Sequence, residues 1–159
     1  MPPVLAPFKG ILSFEEVKQT VDSGNWERFS RTPEVSAVYA NYLEKLPTIY
    51  TSVSDAVKID TLGFESRVDE GSGLLRAVDP VGSQFVRLVR NPFPYATLPG
   101  IEHWVLWNME QYNEFVEKEF GRSEHLWFVN PPHRKTVPGI HHCHIFVNTN
   151  VPISRKNNK

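Results

Sequence analysis

Three histidines and the only cysteine of this 159-residue chain stand together in Ile140-His141-His142-Cys143-His144-Ile145-Phe146-Val147, so half of its six histidines fall within four positions. Imidazole titrates nearest to neutral pH and, when neutral, is the commonest metal ligand. Placing three such rings in an apolar, strand-like run costs solvation unless they find partners. In a strand, alternate side chains share a face. His142, His144 and Phe146 are therefore expected on one side, and His141, Cys143, Ile145 and Val147 on the other. A facing His-x-His pair can supply a nucleophile or a general acid–base. Cys143 has histidine neighbours that would activate a thiolate, but alternation turns it away from them, and a buried, inert thiol is expected.

A third imidazole, His103, lies in Gly100-Ile101-Glu102-His103-Trp104-Val105-Leu106-Trp107, where alternation groups it with Ile101 and Val105 against Glu102 and Trp104. His103, His142 and His144 together make the candidate catalytic set. Asn130 closes Trp127-Phe128-Val129-Asn130. Lys135 and Thr136 precede the histidine strand, where they can meet an anionic ligand; Arg90 and Arg134 join Lys135 as charge-balancing candidates only through the second resemblance given below. Trp104 and Tyr95, with Phe93, Trp107 and Trp127, supply aromatic surface for a ring. The same three histidines also define the alternative of a metal site, with three nitrogens and one open position suited to zinc or another divalent ion. No cofactor is required by the leading reading.

The elements that must hold these residues can be read from capping and periodicity. Ser13-Phe14-Glu15-Glu16 is a capping box, and Phe14, Val17 and Val21 continue a helix to Gly24. Thr32 caps a second helix with Pro33 in its first turn. Its stripe of Val35, Val38, Tyr39, Tyr42, Leu43 and Leu46 is expected to end at Pro47. A weaker helix is expected from Ser54 to Leu62, and a loop from Asp69 to Gly73. Strands are expected over Gln84–Arg90, Ile101–Trp107, Leu126–Asn130 and His141–Asn148. One helix carrying Met109, Tyr112, Val116 and Phe120, capped by Asn108, interrupts them. The fold class is α+β: N-terminal helices followed by a mainly antiparallel sheet with one long inserted helix. Residues 1–159 read as a single domain with tails at 1–10 and 152–159.

The formal net charge of −1 and 22% charged residues lack the basic stripe of a nucleic-acid binder. A lone cysteine makes no internal disulfide. The proline-rich start, Met1-Pro2-Pro3-Val4-Leu5-Ala6-Pro7, has neither the form of a signal peptide nor that of a spanning helix. The expectation is a cytoplasmic protein, with the nucleus open, acting on a small-molecule substrate with no membrane or nucleic-acid partner. Oligomeric state is left open.

Leu88-Val89-Arg90-Asn91-Pro92-Phe93-Pro94-Tyr95, then Pro99 to Trp107, Trp127-Phe128-Val129-Asn130-Pro131-Pro132 and the His-x-His strand resemble a family of fungal proteins named for induction by N-acetylglucosamine. The order Asn-x-Phe-Pro-Tyr, a Gly and a His before an apolar strand, a helix, Val-Asn and His-x-His is also similar to the histidine-triad hydrolases and transferases. That likeness implies a triad-like fold and a nucleotidyl-histidine intermediate, with His142 and His144 on the triad strand, His103 in the Gly-His element and Asn130 ending the preceding strand. Phe146 departs from it, standing where a third alternating polar residue is expected. The spacing Gly100-Ile101-Glu102-His103 departs too. The functional reading is a small enzyme with a histidine-lined pocket acting on a phosphate- or nucleotide-like molecule, of hydrolase or transferase type, with lyase and isomerase chemistry open. Its alternatives are the metal site and a non-catalytic binding module. A nicking nuclease of the HUH type, with Tyr112 as its tyrosine, is the remotest of the readings.

Overall fold

The computed structural model describes residues 6–80 and 86–152. Helix α1 (Phe14–Ser23) starts at the Ser13–Glu16 capping box and stops at Gly24, whose φ of 71° is the left-handed conformation that favours glycine. A short 3₁₀ turn (Trp26–Arg28) leads to α2 (Pro33–Ile49), capped by the Thr32 side chain. Helix α2 runs through Pro47 instead of ending there. Buried Leu46 anchors this last turn, and its carbonyl accepts from Tyr50 N–H at 2.8 Å. Pro47 thus costs one intrahelical bond near an end that frays in any case. Helix α3 (Val53–Ala56) continues as a π-helical turn (Val57–Thr61), starting and ending one residue earlier than the expected 54–62 stretch.

Strands β1 (Glu65–Val68) and β2 (Leu75–Val78) form an antiparallel hairpin around the expected Asp69–Gly73 loop. The main sheet has the order β3-β4-β6-β5, from β3 (Arg87–Arg90), β4 (Ile101–Trp107), β5 (Ser123–Phe128) and β6 (His142–Pro152), with every ladder antiparallel. The first residues of the expected 84–90 strand lie outside the described residues. Strand β5 begins and ends earlier than expected, so Val129 and Asn130 belong to the turn that follows it. Helix α4 (Tyr112–Phe120) has Gln111 at its N-cap position, without a side-chain capping bond. Asn108 instead takes φ 66°, turning the chain out of β4, and donates its backbone N–H to His141 O at 2.7 Å. The start of the chain is tied down from Lys9, whose N–H donates to Ser30 Oγ at 2.8 Å.

The two faces of β6 serve different layers. Cys143, Ile145 and Val147 pack with Leu106 and with Tyr112 and Val116 of α4. On the opposite face Phe146 joins Leu12, Phe14, Val17, Phe29, Tyr95 and Phe128. Phe29 lies nearly parallel to both Phe128 and Phe146, with centroids at 5.3 and 5.6 Å. Moving from Phe146 to His144 to His142 along that face leads out of the core into a cavity.

The α2 stripe is only partly buried. Leu46 is fully packed, Tyr39, Tyr42 and Leu43 are half-buried, and Val38 is 60% exposed, so it belongs to the outer face. The reason is spatial: Tyr39, Tyr42 and Leu43 wall the cavity.

Candidate active site: a histidine relay in a cationic cavity

The cavity has a volume of about 390 Å³, within the range of small-molecule sites. Sheet residues Val105, Trp107, His142 and His144 line it, as do Tyr39, Tyr42 and Leu43 of α2. Asn91, Phe93 and Tyr95 contribute from the turn after β3, and Asn130, His133, Arg134, Lys135 and Thr136 from the β5–β6 connection. Arg31, just before α2, completes it. Three cations line the cavity and no carboxylate does, among the described residues.

Strand pairing brings the three histidines together. His103 lies opposite Phe146 in the β4–β6 register, Val105 opposite His144 and Trp107 opposite His142. The Asn91 side chain accepts the Phe93 N–H at 2.8 Å and shapes the turn that delivers Tyr95. Tyr95 N–H donates to His103 Nδ1 at 3.2 Å. His103 Nε2 stands 2.8 Å from His144 Nδ1, and His144 Nε2 stands 3.1 Å from the Asn130 amide.

These bonds determine where the protons are. Burial, followed by the charges of His144 and Arg31, pushes the His103 pKa well below its usual value, so the ring is neutral. Its Nδ1 accepts, so its proton is on Nε2 and is donated to His144 Nδ1. The His144 pKa is lowered to about 3 by burial first, then by His142, Arg31 and Arg134. This ring is also neutral, and its proton is on Nε2. The Asn130 group facing that proton must then be the oxygen. With the amide nitrogen there, two donors would meet and Oδ1 would be buried without a partner. A half-turn of the amide makes Oδ1 the acceptor for both His144 Nε2–H and the Tyr95 hydroxyl, the latter 3.4 Å away.

His142 differs. Its Nδ1–H donates to the Ile140 carbonyl at 2.8 Å, which leaves Nε2 unprotonated and without a hydrogen-bond partner among the described residues. Burial lowers its pKa, and Lys135 and His141 act in the same direction, while the bond to Ile140 works against them. The Trp107 ring, 4.6 Å away, holds the imidazole in place. Of the three rings, His142 alone offers a lone pair to the cavity. His103 and His144 spend both nitrogens on the relay, and no cluster of three or more His, Cys, Asp or Glu among the described residues is arranged to hold a metal ion.

Asn130, Lys135 and Tyr95 lie where the sequence places them, in the cavity wall. Arg90 and Trp104 do not. Arg90 is exposed and pairs with Glu102 Oε2 at 3.2 Å, and Trp104 Nε1 donates to Glu102 Oε1 at 3.0 Å. Both belong to the other sheet face, where Trp104 packs with Phe120 of α4. Trp127 and Tyr112 lie in that layer too, away from the cavity. His141 is exposed beside Glu110 at 2.8 Å. Cys143 is buried, and burial pushes its thiol up to about 12. Arg31 is the site residue that sequence reasoning missed. Its Nε donates to Phe93 O at 2.8 Å, and its guanidinium lies 4.1 Å above the Tyr39 ring and 5.0 Å from that of Tyr95.

No described helix is long and apolar enough to cross a membrane. Comparison with known proteins gives likeness without an assigned activity. An uncharacterized protein of Saccharomyces cerevisiae, YPL067C, is 25% identical over 158 residues, covering 84% of this chain and 77% of that one. The crystal structure of HTC1 superposes with a TM-score of 0.57 at 20% identity, over 86% of this chain and 85% of that one, a likeness of fold. The family described as "Protein of unknown function (DUF3605)" matches residues 13–114, from α1 through β4 and into α4. The chain therefore belongs to the DUF3605 family.

Proposed function

We propose that this protein is a small enzyme in which His142 acts on an anionic small molecule of the phosphate-ester type. The observation that carries the reading is His142 Nε2, which of the three relay-side imidazoles alone presents an unpaired nitrogen to a cavity lined by Arg31, Arg134 and Lys135 and by no carboxylate among the described residues. A neutral imidazole is competent either to attack phosphorus or to take a proton from attacking water. In both cases positive charge develops on the ring, and the Ile140 carbonyl on Nδ1–H stabilises it. The histidine-triad likeness supplies the chemical precedent, and the difference at the third position has a local cause. Phe146 lies inside the aromatic core, too deep to reach a substrate. His103, His144 and Asn130 hold the wall behind the substrate in place.

The test is a screen of phosphate monoesters, diesters and nucleotides with wild-type protein, followed by His142→Gln and His144→Ala on whatever is turned over. His142→Gln is expected to lower kcat by a factor of about 100 or more, the range for losing a general base or nucleophile. No turnover of any ester by the wild type, or unchanged turnover in both variants, refutes the reading.

A further inference from the structure

We propose that Arg31, Arg134 and Asn130 form a receptor for a tetrahedral oxyanion, of which inorganic phosphate is the simplest, in the cavity beside His144. This deepens the functional reading and rests on it for the ligand's chemistry, but it concerns what grips the charge, not what His142 does.

Among the described residues, two buried side-chain polar atoms lack any hydrogen-bond partner: Asn130 Oδ1 and Arg134 Nε. Both belong to residues lining this one cavity. The tautomer of His144 sharpens the coincidence. Once the Asn130 amide turns its oxygen to His144 Nε2–H, its nitrogen occupies the place of the unpaired oxygen. Two unpaired groups of opposite kind thus become two unpaired donors. A buried donor without an acceptor has lost its water and gained nothing in return, so two in one cavity mark a place where an acceptor belongs.

Arg31 brings a second guanidinium to the same spot. Its Nε is committed to the Phe93 carbonyl, and its plane is held against Tyr39 and Tyr95. Its terminal N–H groups make no hydrogen bond among the described residues. Both guanidinium charges act on the His144 ring, and the Tyr95 side chain touches Arg31 on one side and Asn130 on the other. The nearest carboxylate, Glu27, is 3.7 Å from a terminal nitrogen of Arg134, leaves Nε untouched, and is itself mostly exposed.

The donors come from three places in the chain: the segment just ahead of the α2 N-cap, the turn after β5 and the 3₁₀ turn Pro132–Arg134 that follows it. Donors supplied by three separate side chains suit an anion with several accepting oxygens better than a planar carboxylate with two. Two fixed cations among neutral imidazoles match a divalent charge.

The experiment is titration of the full chain with inorganic phosphate at constant ionic strength, read by calorimetry and by thermal shift, with acetate and chloride as comparators. Phosphate is expected to bind and to raise Tm where acetate and chloride do not. Asn130→Asp keeps an acceptor for His144 but replaces the amide donor with a negative charge, and Arg134→Lys keeps the charge but removes Nε–H. Each should weaken phosphate binding by about tenfold or more, the scale of one lost charge-assisted hydrogen bond. Far-UV circular dichroism identifies a variant that does not fold, and Arg31→Lys then takes its place with the same expectation. Equal response to phosphate, acetate and chloride overturns the receptor, as does wild-type affinity in the folded variants. Phosphate binding without turnover of any ester leaves the receptor standing and removes the catalytic reading instead.

Discussion

Take the protein from about pH 7.5 to about pH 5.0, a window in which an ordinary histidine becomes charged while most carboxylates stay ionised. His144 is neutral in the fold, with its pKa lowered from 6.5 to about 3 chiefly by burial. In the unfolded chain it titrates near 6.5. Below that value the unfolded state binds a proton that the native state refuses, so stability is complete above about pH 6.5 and falls as the pH drops towards the folded value. Each pH unit in that window costs about 1.4 kcal/mol per group, and at pH 5.0 the loss from His144 alone is about 2 kcal/mol. His103 is displaced in the same direction and adds to it. Asp55 has its pKa moved down, the largest contribution being burial, which raises it, and the bonds from Thr51, Ala77 and Ser52 together outweighing that. Its effect is therefore confined to more acid conditions. Urea denaturation at half-unit pH steps measures the slope. His144→Gln removes the titrating ring but keeps an amide able to accept from His103 and donate to Asn130. It should flatten the curve by about 2 kcal/mol between the two ends. A wild-type stability that is level from pH 7.5 to 5.0, or a variant curve parallel to the wild type's, refutes the buried neutral relay.

Two further outcomes test the same geometry. Nitrogen-15 NMR of labelled histidines should find His103 and His144 as Nε2–H tautomers and His142 as the Nδ1–H tautomer at neutral pH; an Nδ1–H signal for His144 breaks the relay. Cys143 should resist a thiol reagent such as Ellman's in the native state and react fully in urea, because it is buried and its thiolate is disfavoured; rapid native labelling contradicts its place beneath α4.

The site was legible where the code is periodic. Alternation alone divides β6 into His142 and His144 against Cys143, and that division holds. The same rule separates His103 from Trp104, so Trp104 could have been removed from the ligand set on the sequence's own terms. The β1–β2 hairpin left no signal because Glu65–Val68 is exposed throughout and has no buried face to pattern. Arg31 was hidden for a different reason. It sits in a connection, and it reaches the site through Phe93, 62 positions away, a contact that no local spacing encodes. Arg90 lies beside the Asn91 turn in sequence, yet its side chain leaves on the opposite face of the sheet to meet Glu102.

The double use of β6 has a consequence for how this gene can change. Residues 142–147 alternate between the cavity face and the α4 layer, and both neighbouring strands are locked to them in register. Point substitutions there alter one surface at a time. Insertion or deletion of a single codon inside that stretch exchanges the surfaces, sending imidazoles into the α4 packing and aliphatic side chains into the cavity. Length variation must therefore collect in the connections, such as residues 131–141, while the strand itself diversifies by substitution alone.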